Sequence, residues 1–206
     1  MLVELRKSQI EFYHKLAPDY DRQVNAEAIE EKARYRNLFP AGAAFRRGLD
    51  LGCGTGNWTR GLLEVCEQVL AIDASPDMIA VAREKLGERG IDYRVVDILA
   101  FPDLGTFDVV FSTFWVSHVP LELHDDFWAW VARSLEIGGE VIFQDSMAQG
   151  PGGGGDRRRL PSGETFRIVK NAYDFDRLLE VMSSHGLTGT IAMTSKNVYV
   201  INAQRS

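Results

Sequence analysis

The chain has 206 residues, 45% of them hydrophobic, which suffices to bury one core and predicts a single domain over residues 1–206. Its net charge of −6 and pI near 5.3 argue against a nucleic-acid partner, because binding to phosphates needs a surplus of Lys and Arg. The two cysteines, Cys53 and Cys66, have no metal-ligand spacing, so we expect no metal, no disulfide framework and a reducing cytoplasm.

The N-terminal segment is predicted to be helical. Apolar spacing predicts one helix over Leu2 to Leu16, stopped by Pro18, and a second over Val24 to Leu38, ended by Pro40. Charged residues interrupt the first sixteen positions, and no window holds 18 uncharged apolar residues. We therefore expect neither a signal peptide nor a membrane span.

Short apolar strands then alternate with helices. Strands are predicted at Gly48–Leu51, Val69–Ile72, Asp92–Val96, Phe107–Phe111 and Glu140–Phe143. Helices are predicted at Thr59–Cys66, Pro76–Gly87 and Leu121–Leu135, the last ended by Gly138 and Gly139. Such alternation implies right-handed crossovers and a parallel sheet covered on both faces.

The alternation breaks after Asp145. Residues 150–155 are five glycines and a proline, too flexible to hold a packed element, and predict a mobile lid or a surface loop. A helix over Asp174 to His185 resumes the pattern. Leu187–Met193 and Asn197–Ile201 then predict a terminal strand pair.

A glycine-rich turn follows the first strand, in the run Asp50-Leu51-Gly52-Cys53-Gly54-Thr55-Gly56-Asn57. Glycines turn sharply and let a ligand approach the backbone. A dinucleotide fingerprint, G-x-G-x-x-G, would need its third glycine at position 57, which is Asn57. The spacing therefore favours a smaller ligand.

With this turn, acidic residues follow the second strand (Asp73) and the third (Asp97), and the set resembles the class I S-adenosylmethionine (SAM)-dependent methyltransferases over roughly Phe12 to Phe143. The resemblance implies an α/β, Rossmann-like, seven-stranded, mostly parallel sheet with an antiparallel C-terminal strand and helices on both faces. It implies SAM as cofactor and S-adenosylhomocysteine (SAH) as product.

The resemblance also implies the cofactor-binding residues. The amino-acid end of SAM falls to Asp50, Gly52, Cys53, Gly54 and Gly56. The ribose falls to Asp73, with Ala74 beside it, because a carboxylate accepts two hydrogen bonds. The adenine falls to Asp97 and Ile98, with Met78 packed on the ring. Taken singly, Asp73 could instead cap the next helix and Asp97 could be a solvated strand end.

The acceptor is expected beyond the fourth strand, in the segment from Ser112 to Pro120. His118 is the one imidazole there and suits a general base, although a histidine bonded to a loop carbonyl, or one that caps the next helix, is the alternative. Tyr13 and Tyr20 resemble the N-terminal segment that closes over SAM in small-molecule members of the family. Tyr13 is thus a second catalytic candidate, and both tyrosines are candidates for binding SAM. Packing against the sheet edge is the alternative for each.

Two further clusters bear on the acceptor. Phe114 and Trp115 make the region aromatic. We expect that only one of Trp128 and Trp130 faces the core, which makes the other a candidate to line the acceptor pocket, although core packing is the more common use of such residues. The basic cluster Arg157 to Arg159, followed by Arg167 and Lys170, would pair with a carboxylate or phosphate on the acceptor, or form a solvated loop.

These features predict SAM-dependent methylation of a small molecule, with the hydroxyl of an aromatic or other secondary metabolite favoured. N- or C-methylation and a non-catalytic nucleotide-binding protein are the alternatives. An aminopropyl transferase would need an acidic pair that the segment after the fourth strand lacks. The Asn/Asp-Pro-Pro motif of nucleic-acid base methyltransferases is absent there as well. We expect a monomer or homodimer, with residues 1–40 as a helical lid and 146–173 as a candidate substrate loop.

Overall fold

The computed structural model describes residues 2–32, 38–146 and 156–206. Its strands are β1 (Phe45–Leu51), β2 (Cys66–Asp73), β3 (Ile91–Val95), β4 (Phe107–Thr113), β5 (Leu135–Ser146), β6 (Asp156–Arg159), β7 (Thr165–Ile168), β8 (Leu187–Met193) and β9 (Val198–Arg205). Its α-helices are α1 (Leu2–Lys32), α2 (Thr59–Leu63), α3 (Pro76–Leu86), α4 (His124–Arg133) and α5 (Phe175–Ser184). Short 3₁₀ turns cover Ile98–Ala100, Val116–His118 and Leu121–Leu123.

Seven strands form one sheet in the order β3-β2-β1-β4-β5-β9-β8. The pairs from β3 to β5 are parallel, whereas β9 runs antiparallel to both β5 and β8. The predicted α/β fold class is therefore confirmed. β6 and β7 form a separate antiparallel hairpin, which the sequence analysis did not predict.

The sheet is buried on both faces, because neighbouring side chains along β2 and β4 belong to apolar clusters on opposite faces. Leu70, Ile72 and Val110 belong to one apolar cluster, while their chain neighbours Val69 and Phe111 belong to another on the opposite face. Successive side chains of a strand point to opposite faces, so each strand contributes to both clusters. This explains why the central strands are continuous apolar runs.

The N-terminal helix does not stop at Pro18, contrary to our prediction. Pro18 lies inside α1. A proline in a helix interior costs about 3 kcal/mol, because it removes one backbone hydrogen bond and crowds the preceding turn. Burial of Phe12, Leu16 and Ala17 on this helix offsets that cost. The predicted second helix, Val24 to Leu38, falls partly on residues 33–37, outside the described residues.

The region around α4 departs from the prediction in two ways. The α-helix ends at Arg133, and Gly138 and Gly139 lie within β5, where its register with β4 is irregular. Trp128 and Trp130 are both fully buried, so the expectation that one of them lines a pocket is wrong. α4 is enclosed over a broad arc between the sheet and the 98–104 segment, and the indole Nε1 of Trp130 donates to the Pro102 carbonyl at 2.7 Å.

None of the helices within the described residues is long and apolar enough to cross a membrane.

Candidate active site

A cleft opens at the carboxyl ends of β1, β2 and β4, bounded on its other side by α1, and holds about 680 Å³ of space that includes open solvent. Carboxyl ends of parallel strands are where open α/β sheets bind ligands, and pockets of this size take small molecules. The predicted residues that line it are Tyr13, Tyr20, Gly52, Gly54, Asp73, Ala74, Met78, Asp97, Ile98 and His118. Phe114 and Trp115 line it as well.

Some lining residues were not predicted. They are Arg6, Gln9, Ile10, Ser75 and Leu99, with Thr113 beside the aromatic pair. The first three belong to α1, and only the docking of that helix across the cleft brings them there. No motif in the sequence marks them.

Three predicted cofactor residues do not line the cleft but lie beneath it. Asp50 is buried and accepts a hydrogen bond from Thr59 Oγ1 at 2.7 Å, and burial raises its pKa to about 7. Cys53 is buried in the core beside α3. Gly56 is buried, and a Cβ there would come within 2.8 Å of Leu86 Cδ1. These three buried residues stabilise the glycine turn from the side that faces the core.

Two positions of the glycine turn favour glycine. Gly52 has φ +67°, and a Cβ on it would lie 2.3 Å from the indole of Trp115. Gly54 has φ +54°, and a Cβ on it would meet no atom within 4 Å, because this residue faces the open cleft. L-residues rarely adopt such φ angles. The turn thus presents bare backbone to a ligand.

Asp73 closes the turn from the end of β2. Its Oδ2 accepts from the Gly54 amide at 3.0 Å and its Oδ1 from the Ser75 amide at 2.9 Å. Burial raises the pKa of Asp73. Each carboxylate oxygen retains a second lone pair for a ligand hydroxyl. The helix cap considered as an alternative is made instead by Ser75, whose Oγ accepts from the Met78 amide at 3.2 Å.

Asp97 lies at the other end of the cleft. It caps the 3₁₀ turn through the Leu99 amide at 3.2 Å and pairs with Arg6, with 2.6 Å between Arg6 Nη2 and Asp97 Oδ2. It is therefore not merely a solvated strand end. Met78 is buried and lines the cleft. An ion pair thus ties α1 to the loop that follows β3.

Tyr13 and His118 meet on the cleft wall opposite the glycine turn. The Nδ1 of His118 faces the Val169 carbonyl, which can only accept, so Nδ1 carries the proton and Nε2 is the bare nitrogen. The Tyr13 hydroxyl donates to Nε2 at 3.0 Å. Burial, reinforced by the charge of Lys170, lowers the pKa of His118 to about 4, so the imidazole is neutral at pH 7. Burial raises the pKa of Tyr13.

A buried ion pair supports His118 from behind. Lys170 Nζ lies 3.1 Å from Asp145 Oδ1 and donates to Ser117 Oγ at 2.7 Å. Asp145 Oδ2 accepts from the Ser117 amide at 2.7 Å, and the Asn171 amide donates to the Ser117 carbonyl at 2.9 Å. The segment 169–171 is thereby held against the turn that carries His118. Lys170 was predicted only as part of a basic cluster, and its pairing with Asp145 was not predicted.

Asp21 anchors α1 over the glycine turn. Its carboxylate accepts from Thr55 Oγ1 at 2.6 Å, Asn57 Nδ2 at 2.7 Å and Lys85 Nζ at 2.7 Å. Tyr20, the preceding residue, lines the cleft, and burial together with the charge of Asp73 raises its pKa to about 12. The helix is thus fixed at both ends of the cleft, at Asp97 and at the turn.

Within the described residues no group of three or more His, Cys, Asp and Glu could hold a metal ion.

Comparison with known proteins agrees with this geometry. The profile described as "Methyltransferase domain" matches residues 49–143. The chain is 33% identical over 147 residues, 67% of its length, to an uncharacterized methyltransferase of Staphylococcus carnosus (strain TM300), of which it covers 68%. A ubiquinone biosynthesis O-methyltransferase of Xanthomonas axonopodis pv. citri (strain 306) is 42% identical over 87 residues, 40% of this chain and 35% of that protein. The solved DhpI–SAH complex matches with a TM-score of 0.88 at 28% identity, covering 98% of both chains.

Proposed function

The chain belongs to the class I SAM-dependent methyltransferases, and we propose that it methylates a hydroxyl group of a small-molecule acceptor. The observation that carries the proposal is the hydrogen bond from Tyr13 to the bare Nε2 of His118 on the cleft wall. A hydroxyl acceptor must lose a proton, and this pair is built to accept one.

The chemistry of the cleft suits SAM. Gly54 offers open backbone, and Asp73 has unused lone pairs that suit two ribose hydroxyls. We propose that Gly52 and Gly54 contact the amino-acid end of the cofactor, that Asp73 and Ala74 hold the ribose, and that Met78, Asp97 and Ile98 surround the adenine. Bound SAM supplies an electrophilic methyl group on a sulfonium, so no group of the protein has to activate it.

Alignment and proton transfer remain for the protein. We propose that Tyr13 takes the proton of the acceptor hydroxyl while its own proton passes to Nε2 of His118. With SAM in the cleft, its methyl group would pass to that oxygen and SAH would be the leaving group. A neutral imidazole of low pKa suffices, because the hydroxyl becomes strongly acidic as its oxygen is alkylated.

The Val169 carbonyl gives His118 its role in this scheme. By accepting from Nδ1 it fixes the tautomer and leaves Nε2 free to receive a proton. Once the imidazole is protonated, the same carbonyl and the nearby Asp145 stabilise the cation. A histidine that served only the fold would not need its second nitrogen on the cleft wall. This argues against a non-catalytic SAM-binding protein.

The N-terminal helix has the placement of a lid. Arg6, Gln9, Ile10, Tyr13 and Tyr20 all line the cleft from α1. We propose that this part of residues 1–40 covers the bound cofactor and that residues 1–206 act as one domain. Part of the predicted substrate loop, residues 147–155, lies outside the described residues. We retain the cytoplasm as the proposed location.

A screen for SAH release tests the proposed acceptor atom. The protein is incubated with SAM and matched probes: 4-hydroxybenzoate and phenol, their methyl ethers, and the amines 4-aminobenzoate and aniline. O-methylation predicts SAH release with the hydroxyl compounds, more than tenfold above that with the ethers and amines. Release with the amines alone would favour N-methylation, and equal release with the ethers would favour C-methylation.

A further inference from the structure

The β6–β7 hairpin has an apolar inner face and a basic outer face. Residues that oppose each other in an antiparallel pair share a face, and Arg158 opposes Phe166. Leu160, Phe166 and Ile168 are buried, and Phe166 packs on Phe12 of α1 with their ring centroids 5.8 Å apart. Arg158 therefore lies on the inner face, the side of the hairpin that meets α1.

The inner face of the hairpin packs on α1 next to Tyr13, which is proposed to act with His118 as the base. Phe12 contacts Tyr13 edge-on, with 5.1 Å between ring centroids, and Tyr13 donates to His118. The positive charge of Arg158 acts on both groups: it opposes the rise that burial causes in the Tyr13 pKa, and it adds to the lowering of the His118 pKa by burial and Lys170. Arg158 is exposed and does not line the cleft itself, but its charge acts on both groups from the face of the hairpin that packs on α1.

The other cations of this region do not lie on the inner face of the hairpin. Arg157 opposes Arg167 on the outer face of the hairpin, and Arg159 Nε donates to the Gly163 carbonyl at 3.3 Å. Lys170 is buried against Asp145, and Arg6 pairs with Asp97 at the far end of the cleft. Of the basic cluster 157–159, Arg158 is the one that the hairpin directs toward Tyr13.

We propose that the acceptor carries an anionic group, a carboxylate or a phosphoryl group, and that Arg158 binds it beside Tyr13 and His118. The planar guanidinium donates two parallel hydrogen bonds to either group, which fixes orientation as well as position. In a chain of net charge −6 an anionic acceptor needs such a local cation. This inference rests on the proposed function, because it names the substrate class of the same site.

The arrangement couples binding to base strength. The charge of Arg158 adds to the effects of burial and Lys170 in lowering the pKa of His118. An anion bound to Arg158 cancels that effect, so the imidazole becomes a better base when the acceptor is in place. A neutral acceptor would leave the base weak.

The test titrates SAH-loaded protein with inorganic phosphate or acetate, at ionic strength held constant with sodium chloride, and follows the His118 imidazole by NMR. We expect a saturable shift with at least one anion and a rise of the His118 titration midpoint. Arg158→Gln should weaken that binding at least tenfold. Arg157→Gln removes the same charge from the outer face and should leave it within twofold.

A shift that does not saturate with either anion, or equal losses in the two variants, would overturn the proposal. The tighter of the two anions identifies the group, carboxylate or phosphoryl. Failure here is distinct from failure of the proposed function. If 4-hydroxybenzoate is methylated equally well by the wild type and by Arg158→Gln, the anion site fails while O-methylation stands. If anions bind as expected but no hydroxyl probe releases SAH, O-methylation fails.

Discussion

The assignment of Asp73 to the ribose predicts a large loss of cofactor affinity on Asp73→Asn. Asn keeps the shape of Asp and retains one oxygen acceptor, but it replaces the other with an NH₂ group. In the structure both oxygens already accept a backbone amide, from Gly54 and Ser75, so the substitution also puts a donor against a donor.

The magnitude follows from hydrogen bonds to a charged group, each worth about 1.5–3 kcal/mol. Losing one of two such bonds to SAM corresponds to a roughly 10- to 150-fold higher Kd. Isothermal titration calorimetry with SAM and with SAH measures it. Asp92→Asn, the same change at an exposed position of the neighbouring β3, is the matched control and should leave the Kd within twofold.

Thermal unfolding of the ligand-free variant separates a lost ligand contact from a damaged turn. If Asp73→Asn is folded and binds SAM within threefold of the wild type, the ribose assignment is wrong. If its affinity and its stability collapse together, the carboxylate serves the turn rather than the ligand.

Two predictions concern the support of His118. Lys170→Met removes the cation from a pair in which Asp145 is fully buried. Leaving a buried charge without its partner costs about 3–5 kcal/mol, so the free energy of urea unfolding should fall by that amount, and the double variant with Asp145→Asn should regain part of it. A loss below about 1 kcal/mol in the single variant would show that the pair contributes little. The second prediction is a pH dependence. Because burial and Lys170 lower the folded-state pKa of His118 to about 4, the unfolded chain binds one more proton between about pH 4 and pH 6.5, and stability falls as the pH falls through that window. Relative to His118→Gln, the wild type should lose roughly 3 kcal/mol across it, at about 1.4 kcal/mol for each pH unit. Asp50, whose pKa burial raises to about 7, shifts stability in the opposite direction, but it is common to both proteins and cancels in the difference. Parallel stability curves for the two proteins would contradict the buried, neutral imidazole.

The sequence predicted several residues that line the proposed cofactor half of the cleft, although Asp50, Cys53 and Gly56 do not line it. Gly52, Gly54, Asp73 and Asp97 follow consecutive strands, and a parallel sheet brings such strand ends to one edge, so their meeting could be predicted from spacing alone. The strand cores were predicted because both faces of the sheet are buried, which leaves uninterrupted apolar runs.

The acceptor half depended on contacts that local patterns do not encode. Tyr13 and His118 are 105 residues apart, and both were named only as separate candidates. The continuation of α1 through Pro18 is decided by burial on the rest of the helix, which outweighs a local stop signal. The two short strands of the β6–β7 hairpin follow a glycine-rich segment, and the sequence pattern did not indicate them. The position of Arg158 on the inner face of the hairpin was therefore not predicted.

The central claim, that Tyr13 and His118 accept the proton of the acceptor hydroxyl, is tested most directly by His118→Gln. Turnover with the best hydroxyl probe is compared with SAH affinity from calorimetry in the same preparation. A lost general base predicts a fall in kcat of about 10²–10⁴-fold. We expect that fall together with an SAH Kd within threefold of the wild type. Turnover within threefold of the wild type, or loss of SAH binding in step with turnover, would contradict it.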